Sequence, residues 1–277
     1  MKANESVSDK LDIISTGFPA LDSALGTGGI ATKKITEVSG IWSVGKSTLA
    51  LQIIASAQRE KRKCLWCDSE FSFSSSYATI LGVNCEELEL EQKQYAEETL
   101  DALEAWATKN KNGVIVLDSV GALLPREEAE KGSEGRSIGL QARLLGSFTR
   151  RIVPIITMRN HALIILNHSF TDLTTGRLKT SGGAKLEYSK SVWFTLKRSY
   201  GKPAKRTKDG KKSILFIECE IRKNKLTATE GMKCELSIVP GSGFISENPS
   251  LFEESPLFET PKKRGRPAKS VAPLPTK

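Results

Sequence analysis

The alternation of apolar and polar positions changes period along the chain, and each period predicts a type of element. KITEV (34–38) reads as a strand, and residues 47–60 place apolar side chains at helical spacing. KCLWC (63–67) is a second strand, AEETLDALEAWATK (96–109) an amphipathic helix, and GVIVLD (113–118) a buried strand. A long helix follows, with Ile138, Leu145, Phe148, Ile152 and Ile156 on one face, and Pro154 either kinks it or marks a break. ALIILN (162–167) is the next strand. SVWFTLKR, SILFIECEIR and CELSIVP then form an antiparallel meander. Helix–strand alternation followed by hairpins predicts an α/β fold, with a mainly parallel sheet, flanking helices and antiparallel strands added on the C-terminal side. The expected organisation is a leader and lead-in over 1–34, a core over 35–245, and a disordered tail over 246–277, where Ser, Pro, Glu and Lys dominate.

Charge refines this picture. The 277 residues carry a net charge of +9, unevenly spread. Residues 197–212 hold eight basic side chains against Asp209, and the last seventeen residues hold six and no acid. The rest of the chain is therefore net acidic, and a basic loop and tail on such a body suit a polyanion, nucleic acid above all. No apolar run is long enough to span a membrane and no signal peptide is evident, so a cytoplasmic protein is expected. The five cysteines, at 64, 67, 85, 219 and 234, lack zinc spacing and read as reduced core thiols.

The sharpest motif is GIWSVGKS (40–47), a glycine, four residues, then Gly-Lys-Ser, between a strand and a helix. This is a P-loop, and it predicts ATP bound along Gly40, Ile41, Trp42, Ser43, Val44, Gly45, Lys46, Ser47 and Thr48. The glycines let backbone N–H groups turn toward phosphate oxygens, Lys46 adds charge, and Ser47 offers a hydroxyl to Mg²⁺. Asp118, delivered by a buried strand to the carboxyl edge of the sheet, is the matching acid for the metal. Two acids after the KCLWC strand, Asp68 and Glu70, compete for the role of general base toward water.

These segments carry a wider resemblance. ISTGFPALDSALGTGGI, the P-loop, CLWCDSEF, VIVLDSVGALLP, LIILNHSF, TSGGAKLEYSKSVWF and RKNKLTATEG stand in the order of the RecA-family recombinase core, from about Ile14 to Phe244. NHSF and the run before it look closer to phage UvsX-type recombinases than to bacterial RecA. The resemblance implies that Glu70 activates water, that Tyr77 stacks on adenine, and that Asn167 and His168 sense the γ-phosphate. Ser74 stands where relatives often have an aspartate touching the base. Lys223 and Lys225 would reach the ATP of a neighbouring protomer. The resemblance further makes PREEAEKGSEGRS (125–137), with Arg136, the first DNA loop. SFTDLTTGRLKTSGG (169–183) is the second, with Arg177, Lys179, Gly182 and Gly183. Fifteen residues is also long for a structureless connection without a function. Glu218 and Glu220 replace basic residues of bacterial members, for which Lys197 and Arg198 would compensate at the duplex.

The implied protein is a DNA-dependent ATPase forming filaments on single-stranded DNA for strand exchange in recombination and repair. Its partners would be single-stranded DNA, duplex DNA, further copies of itself, and single-strand-binding and loader proteins. With thirteen residues before Ile14, the docking contact of relatives is expected to be shortened or moved, and the C-terminal domain of bacterial RecA is expected to be missing. The tail KKRGRPAK (262–269) resembles an AT-hook, with Arg264, Gly265, Arg266 and Pro267 fitting an A·T-rich minor groove. A RecA-like accessory protein tethered to duplex DNA is the alternative expectation. A hexameric helicase, which calls for an arginine finger, ranks below both.

Overall fold

The computed structural model describes residues 10–131, 139–174, 176–199, 205–206 and 213–245. In chain order the elements are β1 (Ile13–Ile14), α1 (Pro19–Leu25), β2 (Ile30–Ala31), β3 (Ile35–Gly40), α2 (Lys46–Arg59), β4 (Cys64–Asp68), α3 (Ser75–Ile80) and β5 (Leu88–Glu91). There follow α4 (Ala96–Lys109), β6 (Val114–Asp118), a 3-10 turn (Val120–Ala122), α5 (Arg126–Lys131), α6 (Leu140–Arg159), β7 (Ala162–Thr171), β8 (Leu178–Thr180) and α7 (Gly183–Ser189). The last strands are β9 (Val192–Arg198), β10 (Lys205–Arg206), β11 (Ser213–Asn224), β12 (Lys233–Val239) and β13 (Gly243–Ile245).

The main sheet runs β13-β12-β11-β9-β3-β7-β6-β4-β5, with β10 beside β11 and β8 beside β7. The six strands from β9 to β5 pair in parallel, and β11, β12 and β13 extend the sheet antiparallel from β9. This is the expected α/β architecture. The central strands β3, β4 and β6 are buried at every residue, as continuous apolar runs covered on both faces require. One face packs α2 and α1, with Leu49, Ile53 and Ile54 against Val38, Val116 and Ile164. The other packs α4 and α6, with Leu100, Phe148 and Ile152 against Ile115, Leu117 and Ile165.

Three local features add to the sequence pattern. Residues 13–31, grouped above with the leader, pack into the core: Ile14, Leu21, Leu25 and Ile30 are buried, and Phe18 meets Phe244 edge-on at 5.8 Å. Helix α6 runs unbroken through Pro154. The proline is exposed, so water can satisfy the carbonyl one turn earlier that loses its donor. Strand β7 continues past Asn167 to Thr171 and pairs back on β8, Ser169 with Thr180 and Thr171 with Leu178. The segment expected to be structureless is therefore largely a β-hairpin.

Candidate nucleotide site and nucleic-acid loops

The phosphate loop begins where β3 ends, between two parallel neighbours, β7 and β9. Gly40 is needed for close approach, because a Cβ there would lie 2.6 Å from the Leu196 carbonyl oxygen. Gly45 has φ +95°, and its Cβ would meet Phe244 at 2.9 Å and Ile238 at 3.0 Å. Val44 is buried and anchors the loop, whereas Ile41, Trp42 and Ser43 are exposed along its outer rim. Lys46 folds back over the loop: its Nζ donates to the carbonyls of Ile41 at 2.9 Å and Gly40 at 3.2 Å. Burial lowers its pKa, opposed by the nearby carboxylates of Asp118 and Glu70. Helix α2 starts at Gly45 without a side-chain cap, so its first N–H groups are left for an external acceptor. A ring of free amides, a clamped ammonium and a helix N-terminus can bind a triphosphate.

Two oxygens stand beside this cradle. The Ser47 hydroxyl donates to Asp118 Oδ2 at 2.7 Å. Burial pushes the Asp118 carboxyl up to about 6, with the Ser47 hydrogen bond pulling the other way. Hydroxyl and carboxylate are the hard donors Mg²⁺ takes, and a site with so few protein ligands leaves room for phosphate and water. Among the described residues no group of three or more His, Cys, Asp or Glu could hold a metal alone. The residues therefore fit a cation carried in on a nucleotide.

Asp68 and Glu70 stand in different surroundings. Asp68 is fully buried, and its Oδ2 accepts from the Phe73 N–H at 2.9 Å and from Gln92 Nε2 at 2.8 Å. It holds the turn after β4 closed. Glu70 stands on that turn, partly open to solvent, and its Oε1 accepts from the Ser119 hydroxyl and lies 3.5 Å from His168 Nε2. An open, oriented carboxylate can take a proton from water; a buried, doubly hydrogen-bonded one cannot reach it. Ser119 had no place in the sequence reading. The signal was its position directly after Asp118, which places it at the same sheet edge. Tyr77 comes to the loop as well, its hydroxyl 3.0 Å from Thr48 Oγ1, and Ser74 caps α3 by accepting from the Tyr77 N–H.

At the end of β7, Asn167 Nδ2 donates to the Ser181 carbonyl at 2.8 Å, tying the strand to the far leg of the hairpin. Its Oδ1 is buried with no partner among the described residues. His168 stands between Glu70 and the first hairpin pair, Ser169 with Thr180. On that hairpin Arg177 is exposed, and Lys179 is paired to Asp172. Gly182 and Gly183 have φ +109° and +79°, and their Cβ atoms would meet Leu186 at 2.5 Å and Ala142 at 2.7 Å. Close packing on α6 and α7 already calls for glycine at both. The expected first DNA loop is helical over its described part, as α5, with Arg126 stacked 4.2 Å over Tyr95. Arg136 lies outside the described residues, as do Arg264, Gly265, Arg266 and Pro267.

Lys197 and Arg198 lie at the edge that carries the phosphate loop, since Leu196 pairs with Gly40. Lys223 and Lys225 do not. Lys223 pairs with Trp193 and Asn224 with Val192, beside the beginning of β3. Their ammonium groups bond the carbonyls of Glu187 and Tyr188. The length of β3, roughly 15 Å at 3.3 Å per residue, separates them from the phosphate loop of their own chain.

A phosphate loop after the central strand, a metal-side acid two strands away and a polar pair at the neighbouring strand end define a P-loop nucleotide-binding protein of RecA type. The sequence profile of the RecA N-terminal domain matches residues 1–245. The chain is 37% identical to a protein RecA of Thermus thermophilus over 247 residues, 88% of this chain and 71% of that protein. It is 38% identical to protein RecA of Deinococcus radiodurans over 241 residues, 85% of this chain and 65% of that one. Protein RecA of Wolinella succinogenes is 33% identical over 272 residues, 96% and 75% of the two chains. The chain belongs to the RecA family, and at that level it is an ATP-binding, DNA-binding ATPase of recombination and repair. Among the described residues no helix is long and apolar enough to cross a membrane.

Proposed function

We propose that the chain assembles as an ATP-bound filament on single-stranded DNA, pairs it with a homologous duplex and exchanges strands, with hydrolysis releasing the filament. The observation that carries this reading is the contact chain Ser119–Glu70–His168, which runs from the residue after Asp118 to the last residue before the hairpin pairs. Lys46 and the loop amides hold the phosphates, and Ser47 and Asp118 hold Mg²⁺, which supplies charge neutralisation at the phosphates when bound. Glu70, oriented by Ser119, takes the proton of the attacking water. His168, a trait of the UvsX-type relatives, responds to the γ-phosphate and with Asn167 sets the position of the hairpin carrying Arg177, Lys179, Gly182 and Gly183. Tyr77 faces the base. Lys223 and Lys225, remote from their own loop, act on the ATP of the next protomer, so hydrolysis needs assembly. Arg136, Lys197 and Arg198 complete the DNA path. The tail, through Arg264, Gly265, Arg266 and Pro267, holds A·T-rich duplex in the minor groove. Single-strand-binding and loader proteins are the expected auxiliaries.

The test is ATP hydrolysis with and without single-stranded DNA, together with a mixing experiment. Glu70→Gln should lose hydrolysis by about a hundredfold or more while keeping nucleotide binding. A Lys223→Ala/Lys225→Ala chain and a Lys46→Ala chain, each inactive alone, should regain DNA-stimulated turnover when mixed. No recovery on mixing refutes the shared site. A parent chain whose turnover ignores single-stranded DNA points instead to an accessory protein that uses ATP as a binding switch.

A further inference from the structure

The edge of the sheet opposite the phosphate loop carries, apart from Lys223 and Lys225, a basic surface that none of the roles above uses. The parallel strands β3, β4, β6 and β7 all begin there, so four separate turns meet. The turn before β3 has Lys33 and Lys34, and the turn before β4 has Lys61, Arg62 and Lys63. Lys109 and Lys111 precede β6, and Arg159 precedes β7. Hydrogen bonds join these turns into one surface: Lys63 Nζ to Asn110 Oδ1 at 3.1 Å, and Asn160 Nδ2 to Asn112 Oδ1 at 2.9 Å and to Asp12 Oδ2 at 2.6 Å. Between the β4 and β6 turns lies an open cleft of about 600 Å³ whose lining residues are all polar or charged.

The bland account is that cations sit at helix C-termini, since α2, α4 and α6 end here. Three such ends bring about half a negative charge each, roughly one and a half in all. The turns carry eight bases against Asp12 and Glu60, a net of +6. Capping explains a quarter of that. Arg62 is spent on Glu60 at 2.9 Å and Asp12 at 3.8 Å. Lys61, Lys109 and Lys111 are exposed and form no ion pair among the described residues. Backbone geometry adds weight. Lys33 and Lys61 have φ +62° and +59°, a left-handed conformation that a lysine rarely adopts. Glu86 and Glu87, before β5, bound the surface on its outer side.

We infer that this edge is a second nucleic-acid site that grips the phosphate backbone of duplex DNA independently of nucleotide. The lining of the cleft holds no aromatic residue on which unpaired bases could stack, which disfavours a single strand. It holds no apolar residue to enter a bilayer, which disfavours a membrane. A group of exposed ammonium groups around one cleft suits the dense charge of a duplex. The five residues of β4, about 16 Å of strand, separate this ligand from the phosphate loop, so both can bind at once.

The experiment compares the full chain with Lys61→Gln/Lys109→Gln/Lys111→Gln, measuring affinity for a labelled duplex without nucleotide across a salt series. Three lost contacts should lower the slope of log K against log salt by about 2.7, at 0.9 each. Hydrolysis stimulated by single-stranded DNA should not change. Lysine acetylation of the parent chain, read by mass spectrometry, gives a second measure that needs no variant. Lys61, Lys109 and Lys111 should be protected by duplex. An unchanged slope, an absence of protection, or protection by phosphatidylglycerol vesicles but not by duplex each overturns the assignment.

Discussion

The raised carboxyl of Asp118 makes a prediction opposite to ordinary experience with acidic residues. Burial displaces it from 3.8 to about 6, so without a cation the folded chain binds this proton more tightly than the unfolded chain does. Stability from this group therefore falls as pH rises from about 4 to about 6, and the full cost of about 3 kcal/mol stands at neutral pH. Asp118→Asn keeps the shape and an oxygen able to accept the Ser47 hydroxyl, but removes the charge. In the absence of nucleotide and metal, the variant should be more stable than the parent at pH 7.5 by up to about 3 kcal/mol. In a domain of this size that is roughly 6–10 °C in thermal midpoint. At pH 4 the two should melt together, and Mg²⁺ with nucleotide at pH 7.5 should favour the parent. A variant no more stable at pH 7.5, or a gap that persists at pH 4, would refute the assignment of the cost to a buried carboxylate.

Two further outcomes follow from buried geometry. Lys190 is wholly buried, 3.1 Å from Glu37 Oε1, 2.6 Å from Glu187 Oε2 and 4.0 Å over the Trp193 ring. Lys190→Met should cost about 3–5 kcal/mol by stranding Glu37, and Glu37→Met in the same chain should restore most of it; a single variant melting like the parent contradicts this. Gly45→Ala should destabilise by about 1–3 kcal/mol and weaken nucleotide binding at least tenfold, because φ +95° and two side-chain contacts both oppose a Cβ. Gly139→Ala, at φ +76° with nothing within 4 Å among the described residues, is the control for backbone strain, and equal losses at both sites would remove packing from the explanation.

Much of the core was legible because its physics is local. Helix α4 was read to the residue, since acids open it, Lys109 closes it and apolar side chains recur at helical spacing between them. The phosphate loop was legible for the same reason: its glycines answer to the conformation of a few adjacent bonds. The hairpin over 169–183 was not. Pairing Ser169 with Thr180 rests on cross-strand hydrogen bonds and on Asp172 bonding across the turn, and neither leaves a periodic trace in the chain.

The sequence by itself determined that a strand delivers a phosphate loop and that another delivers an acid, because burial pattern and chain direction are written in consecutive residues. Its spacing left Asp68 as a competitor of Glu70, two residues away after one strand, and only the family resemblance put Glu70 ahead. Packing gives them different surroundings, by bringing Gln92 onto Asp68 and Ser119 and His168 onto Glu70. Tertiary structure likewise sent Lys223 and Lys225 to the edge away from their own phosphate loop, because β11 runs antiparallel to β9. It also gathered four distant basic turns into one surface, because parallel strands begin at a common edge. Contacts of this kind depend on which strands become neighbours, and strand order is decided by the whole core at once.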